Sequence, residues 1–214
     1  MKRREFLQAG LAGVTSLAAL HSRAFAAAND DPLRVALVGC GWYGKTDLFH
    51  LIQVEPVEVV GLCDVDRHMV DEAAELVAQR QASKKRPTTY GDYRKLLADQ
   101  KPDVVLIGTP DHWHCLPAIA AAKAGKDVYC EKPISLTVYE ARELARAFRR
   151  YGRIFQTGTQ QRSAREFRFA CELVHNGYIG ELKHVTVNVG GPPSVCNLPA
   201  EGEPPEWLDY GGPV

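Results

Sequence analysis

Short apolar runs recur along this chain, separated by segments whose apolar positions return every three or four residues. Leu33 to Val38, Val57 to Cys63, Asp103 to Gly108 and Asp127 to Cys130 are near-continuous apolar stretches, the pattern of strands buried on both faces. Thr88 to Tyr90 and Ile154 to Thr157 read as shorter strands at the same rhythm. Between them, Asp47 to Glu55 places Leu48, Leu51 and Ile52 at helical spacing, and Arg67 to Gln81 does so with Val70, Ala74, Leu76 and Val77. Asp92 is placed to cap a helix through Tyr93, Leu96 and Leu97, and Leu116 to Ala124 predicts a helix stopped by Gly125. Thr137-x-x-Glu140 has capping-box spacing ahead of Val138, Ala141, Leu144, Ala145 and Phe148. Strands alternating with helices in this order predict an α/β fold, a doubly wound parallel sheet over residues 31–157.

The pattern then changes. Ser163-x-x-Glu166 predicts a second capping box and a helix closing at Asn176-Gly177, while Leu182 to Val189 alternates as a half-solvated strand would. Gly190 to Val214 is rich in glycine and proline without periodicity. Residues 158–214 are therefore expected to be the incomplete start of a second, α+β domain.

One turn in the pattern has chemical content. Gly39-Cys40-Gly41-Trp42-Tyr43-Gly44 falls where the first strand gives way to a helix. In G-x-G-x-x-G the first glycine makes a tight turn and the second admits a pyrophosphate to the backbone. The third lets helix and strand pack closely, so that helix N–H groups point at the phosphates. Asp64 ends the second strand, where a carboxylate accepts from ribose hydroxyls or else caps the next helix, a role open to Asp66 as well. As a ribose ligand Asp64 would repel a 2′-phosphate and favour NAD over NADP; Arg67 pulls the other way. In such sheets ligands bind beyond the carboxyl ends of the strands. Thr109-Pro110-Asp111-His112-Trp113-His114 and Glu131-Lys132-Pro133 therefore converge on the same crevice as the glycine loop. Lys132 could pair with Glu131 at the surface. Pointed into the cleft instead, it hydrogen-bonds a substrate hydroxyl and favours the alkoxide from which hydride leaves, with Glu131 orienting it. Trp113 reads as a pocket wall, and His112 and His114 as caps or packed residues as readily as chemical groups.

Composition narrows the classes. The chain has 214 residues with 26 basic and 26 acidic side chains, a balance that gives no support for nucleic acid or an anionic membrane surface as partner. No apolar run in the mature region approaches a membrane span. Residues 1–30 open with Lys2-Arg3-Arg4-Glu5-Phe6-Leu7, continue through an apolar run from Ala9 to Leu20 and end near Ala24-Phe25-Ala26. That order predicts a twin-arginine export signal and a periplasmic destination, against the plainer alternative of an amphipathic arm. Of the six cysteines, Cys63 and Cys130 end apolar strands and Cys40 lies in the glycine loop. They read as small buried residues, and no spacing suggests a metal site.

Taken together, Gly39-x-Gly41-x-x-Gly44, Asp64, Thr109-Pro110-x-x-x-His114, Gly125-Lys126 and Glu131-Lys132-Pro133 resemble the Gfo/Idh/MocA oxidoreductases. The resemblance runs from about Leu33 to Val189 and includes Gly158-Thr159-Gln160-Gln161-Arg162. It implies NAD as cofactor, a sugar, cyclitol or other polyol as substrate, and self-association in the full-length form. It further implies Lys132 as the catalytic lysine before a cis proline bond, with Glu131 steadying the site. Thr109, Pro110 and His114 would line the nicotinamide side, with Trp42 and Tyr43 also at the cofactor, and Trp113, Gln160 and Arg162 would face substrate. Some exported relatives are NAD-dependent glycoside hydrolases, an alternative reaction class. The family's second-domain aspartate-x-x-x-histidine segment has no match after His184, so the sequence is expected to be a piece of a longer protein, with a non-catalytic nucleotide-binding module as the alternative.

Overall fold

The structure is a computed structural model and describes residues 31–188 and Glu206. Residues 1–30, expected to be an export signal, and Gly190 to Val214 lie outside the described residues apart from that glutamate. Six strands form one sheet: β1 (Leu33–Val38), β2 (Val57–Cys63), β3 (Thr88–Tyr90), β4 (Val104–Ile107), β5 (Asp127–Glu131) and β6 (Phe155–Gly158). Their order is β3-β2-β1-β4-β5-β6, and every pairing is parallel. The helices are α1 (Trp42–Val54), α2 (Arg67–Arg80), α3 (Tyr93–Gln100), α4 (Cys115–Lys123), α5 (Val138–Tyr151) and α6 (Arg165–His175).

Alternation along each strand divides the core. Val35 and Leu37 pack with Val59, Leu62 and Leu106 against Leu48 of α1 and Val70, Ala74 and Val77 of α2. Their neighbours Ala36 and Val38 point the other way, toward Leu96 of α3, Ala118 and Ala121 of α4, and Leu144 and Phe148 of α5. A strand covered on both faces must be apolar at every position, which is why these runs lack polar interruption. The β1–β2 register slips between Val35 and Ala36. There the buried Gln81 side chain accepts from the Val59 N–H at 2.9 Å and donates to Lys85 O at 2.6 Å.

Helix ends follow side-chain chemistry. Asp66 caps α2, accepting from the His68 and Met69 amides, and Asp92 caps α3 through the Arg94 amide. Thr137 and Glu140 form the reciprocal box at α5, which closes on Gly152 in the left-handed region. Two expectations need correction. Ser163 is not the cap of α6: it ends a 3-10 turn, Gln160–Ser163, and Ala164 takes the cap position without a side-chain bond. Glu166 therefore sits one place too early in the helix to close a box. Residues 182–188 form no strand, and Val185 and Val187 are exposed. Alternation makes a strand only where another strand accepts its hydrogen bonds, and none among the described residues does. Val189 itself lies outside them. Helix α1 also begins earlier than its apolar spacing suggests, directly after Gly41.

Candidate active site

The first βα turn is held by its lack of side chains. Gly39 has φ +93°, and a Cβ there would meet Thr109 N at 2.5 Å. A Cβ on Gly44 would lie 2.1 Å from Gly39 O, and one on Gly108 would lie 2.7 Å from Gly44 Cα. The start of α1, the glycine turn and the end of β4 are thus in backbone-to-backbone contact. Gly41 is different: nothing lies within 4 Å of its Cβ position. No side chain caps α1, so its first amides are left to an open seat, the setting in which helix N-termini bind anions.

Asp64 braces this turn. Its Oδ2 accepts from the Cys40 N–H at 2.6 Å and its Oδ1 from the Asp66 N–H at 2.9 Å. Capping falls to Asp66, so of the two roles open to Asp64 the helix cap is excluded. The carboxylate also rims a cavity of about 240 Å3 beyond β2 and β3, with Val65, Arg67 and Asp71 on the wall. Burial, with the Asp64 charge next, pushes the Cys40 thiol well up, and burial pushes Cys63 up to about 12. Cys115 and Cys130 are buried as well, Cys171 is exposed, and Cys196 lies outside the described residues. Among the described residues no cluster of ligands suits a metal ion.

A second cavity, about 140 Å3, opens beyond β4 and β5 and is lined by Tyr43, Thr109, Asp111, His114, Glu131 and Lys132. His114 is buried and straps the two loops together. Its Nδ1 lies 2.5 Å from Pro133 O and its Nε2 lies 2.7 Å from Thr109 O. The Lys132–Pro133 peptide bond is cis. Lys132 Nζ stands 6.0 Å from the Tyr43 ring centroid, within cation–π reach. No ion pair joins it to Glu131 among the described residues; Glu131 Oε2 accepts instead from the backbone N–H of Lys132 at 3.2 Å. The glutamate steadies the turn, not the ammonium. Thr109 Oγ1 and Glu131 Oε1 are buried without a partner.

Not every expected residue converges here. Trp42 is 76% exposed and lines neither cavity. Pro110 starts a 3-10 turn (Asp111–Trp113) at the rim, and Trp113 is half-buried outside the lining. His112 is exposed and pairs with Asp111 at 3.5 Å. Gln160 lies beside Tyr43, and Arg162 is exposed. Asp111 and Gly108 belong to the site, although sequence pattern gave neither of them a role in it. Of these only Gly108 carried a readable signal, as a glycine ending a buried strand.

The two cavities flank the junction of β1 and β4, where the strand order reverses, and the open seat at Gly41 lies between their loops. An elongated ligand with an adenosine end, a diphosphate and a second ring matches this layout, and the orphaned Thr109 hydroxyl offers it a hydrogen bond. The model of the Gfo/Idh/MocA oxidoreductases, described as an oxidoreductase family with an NAD-binding Rossmann fold, matches residues 33–159. The chain belongs to this family. NAD is its cofactor. Among Gfo/Idh/MocA relatives, a glycosyl hydrolase family 109 protein of Stenotrophomonas maltophilia is 33% identical over 191 residues, 86% of this chain and 41% of that protein. An alpha-N-acetylgalactosaminidase of Shewanella oneidensis is 30% identical over 154 residues, 71% of this chain and 34% of its own length. The crystal structure of myo-inositol 2-dehydrogenase from Lactobacillus plantarum superposes with a TM-score of 0.63 at 31% identity, covering 71% of this chain and 43% of that one. The chain thus spans less than half the length of these relatives.

Proposed function

We propose that the protein of which this chain is part is an NAD-dependent oxidoreductase that moves hydride between nicotinamide and a carbon of a sugar, cyclitol or related polyol. The observation that carries this reading is Lys132, set over the Tyr43 ring at the mouth of the cavity beyond β4 and β5. Gly41 and the first amides of α1 receive the diphosphate, and Asp64 accepts from the ribose hydroxyls. Bound NAD supplies the hydride acceptor. Lys132 Nζ donates a hydrogen bond to the substrate hydroxyl oxygen and stabilises the negative charge left there as its proton passes to water in the cleft. His114 fixes the Lys132–Pro133 turn against the Thr109 loop, which keeps Nζ in register with that oxygen. Gln160, beside Tyr43, and Trp113 and Arg162 at the rim are the substrate-side candidates.

A Lys132→Met variant of the whole protein tests this. Retained NADH affinity with loss of turnover on polyols is expected; equal turnover removes Lys132 from the mechanism. A second reading draws on the glycosidase names of the curated relatives: transient oxidation, elimination of the aglycone and re-reduction. Net NADH accumulates under the first reading and not under the second.

We also assign residues 1–30 to twin-arginine export into the periplasm, on the order of paired arginines, apolar run and Ala24-Phe25-Ala26. Lysine at both Arg3 and Arg4 should hold the protein in the cytoplasm. Exposed Phe167 and Phe169 on α6 support packing of further protein there, where self-association belongs.

A further inference from the structure

Strand β6 ends on a glycine that its own backbone does not require. Gly158 is buried, pairs in parallel register with Glu131 of β5, and has a φ outside the left-handed region. A glycine weakens a strand and marks a place where another group comes close. Here that group is the Glu131 carboxyl. A Cβ on Gly158 would lie 2.1 Å from Glu131 Oε1 and 2.8 Å from its carboxyl carbon, with the Tyr129 hydroxyl next at 3.0 Å. The three nearest atoms all belong to side chains of β5, so the space beside Gly158 is filled from the neighbouring strand. Glu131 is 5% exposed, and its Oε1 has no hydrogen-bond partner among the described residues. The Tyr129 hydroxyl is the donor beside it, two residues earlier on the same face of β5, and its proton turns freely about the C–O bond.

We propose that Gly158 is a positioning residue for the Lys132 turn: the space it leaves open seats the Glu131 carboxyl, and that seat sets the place of the Lys132 backbone. The contacts run from Gly158 to Glu131 Oε1 across the β5–β6 pair, then from Glu131 Oε2, which accepts from the Lys132 N–H at 3.2 Å. Any side chain at position 158 takes the volume that Oε1 occupies. The carboxyl must then swing away from β6, and Oε2 leaves the amide that donates to it. Two ends of the site meet at this contact. Strand β5 runs on into Lys132, while β6 runs on into the 3-10 turn Gln160–Ser163, which carries Gln160 and Arg162. Gly158 thereby sets the spacing between the lysine and the substrate-side candidates. No larger residue can do so while position 131 holds glutamate.

The proposal rests on the functional reading only in taking Lys132 as the working lysine. A double-mutant cycle on this chain without nucleotide tests it, read by urea unfolding and by hydrogen exchange at the Lys132 amide. Gly158→Ala should lower protection of that amide by at least about tenfold beyond any loss shared with the amides of β4. Glu131→Ala should do the same, because the acceptor of that amide is gone. The two substitutions together should cost no more than Glu131→Ala alone, in stability as in protection. With the carboxyl removed, the added methyl has the Tyr129 hydroxyl as its nearest neighbour at 3.0 Å, the end of a side chain that can shift. A general disturbance of β6 would instead add its loss in either background. Should Gly158→Ala fail to fold alone, the double variant must fold as Glu131→Ala does. Additive losses, natural protection at Lys132 in Gly158→Ala, or a double variant that stays unfolded where Glu131→Ala folds overturns the proposal. The cycle involves neither nucleotide nor turnover, so failure here and failure of the hydride-transfer reading are distinguishable.

Discussion

Two glycines three positions apart should fail in opposite ways when each receives a single methyl group. At Gly44 the added Cβ would lie 2.1 Å from Gly39 O and 3.3 Å from Leu37 Cδ1, and Gly108 closes the remaining side. Contacts under 3.0 Å are essentially never made by real Cβ atoms, so α1 and the turn must separate by at least 0.9 Å, the difference between 3.0 and 2.1. Every neighbour concerned is backbone or core, so the strain has no flexible outlet. Overpacking of this kind costs about 1–3 kcal/mol, a fall in Tm of about 2–12 °C for a domain of this size. Gly41→Ala meets nothing within 4 Å and its φ of −64° suits alanine, so its stability should stay within about 0.5 kcal/mol of the natural chain. The methyl would nonetheless occupy the seat that the α1 amides face. Calorimetric titration with NADH should then show a loss of at least about tenfold, roughly 1.4 kcal/mol, in a protein that melts normally. For Gly44→Ala both melting and affinity should suffer. If Gly41→Ala bound NADH unchanged, the anion seat would be misplaced. If Gly44→Ala melted at the natural temperature, the close-packing argument would be wrong.

His114→Phe keeps the buried volume but removes the ring nitrogens that bridge Thr109 O and Pro133 O; a carbonyl left without its donor should cost about 1–3 kcal/mol. Thermal melting read beside His114→Gln, which can still donate to one of them, checks this, and equal Tm values for all three proteins would exclude the strap. Burial of Asp47, and after it the nearby Glu131 charge, also sets a pH dependence of stability. Asp47 binds its proton more tightly folded (about 6) than at its ordinary 3.8, so its contribution is complete below about pH 4 and is lost as pH rises through about 6. That difference is worth about 3 kcal/mol in full, and about 1 kcal/mol once the solvent-facing part of the side chain is discounted. Between pH 4 and 7.5 the natural chain should therefore lose about 1 kcal/mol more stability than Asp47→Asn in urea titrations, and parallel curves would refute it.

Much of the architecture was legible because a parallel sheet buries both faces of its strands. Val35 through Val38 and Val104 through Ile107 have to be apolar at every position, and such runs with helical spacing between them fit few folds besides this one. Caps at Asp92 and Thr137 were legible for a similarly local reason. The misreadings share a cause as well. Residues 182–188 alternate, yet strand formation depends on a neighbour that no local pattern supplies. Ser163 has the spacing of a box, but the 3-10 turn before α6 shifts the helix start by one residue. Within the site, glycine turn, Asp64 and Lys132 announce themselves by position. Asp111 does not, because a lone aspartate in a loop usually faces water and its place in the cavity wall depends on the Glu131-Lys132 loop opposite. The same holds for Tyr43 beneath Lys132 and for His114, whose two carbonyl partners come from different loops.

Asp64 carries two obligations at one carboxylate, since the oxygens that would greet a ribose also pin the glycine turn through Cys40 and Asp66. Re-engineering this protein toward the phosphorylated dinucleotide is therefore not a matter of deleting one repulsive charge. Any replacement at that position must supply a fresh acceptor for the Cys40 amide, or the tightened selectivity will arrive with a slackened turn.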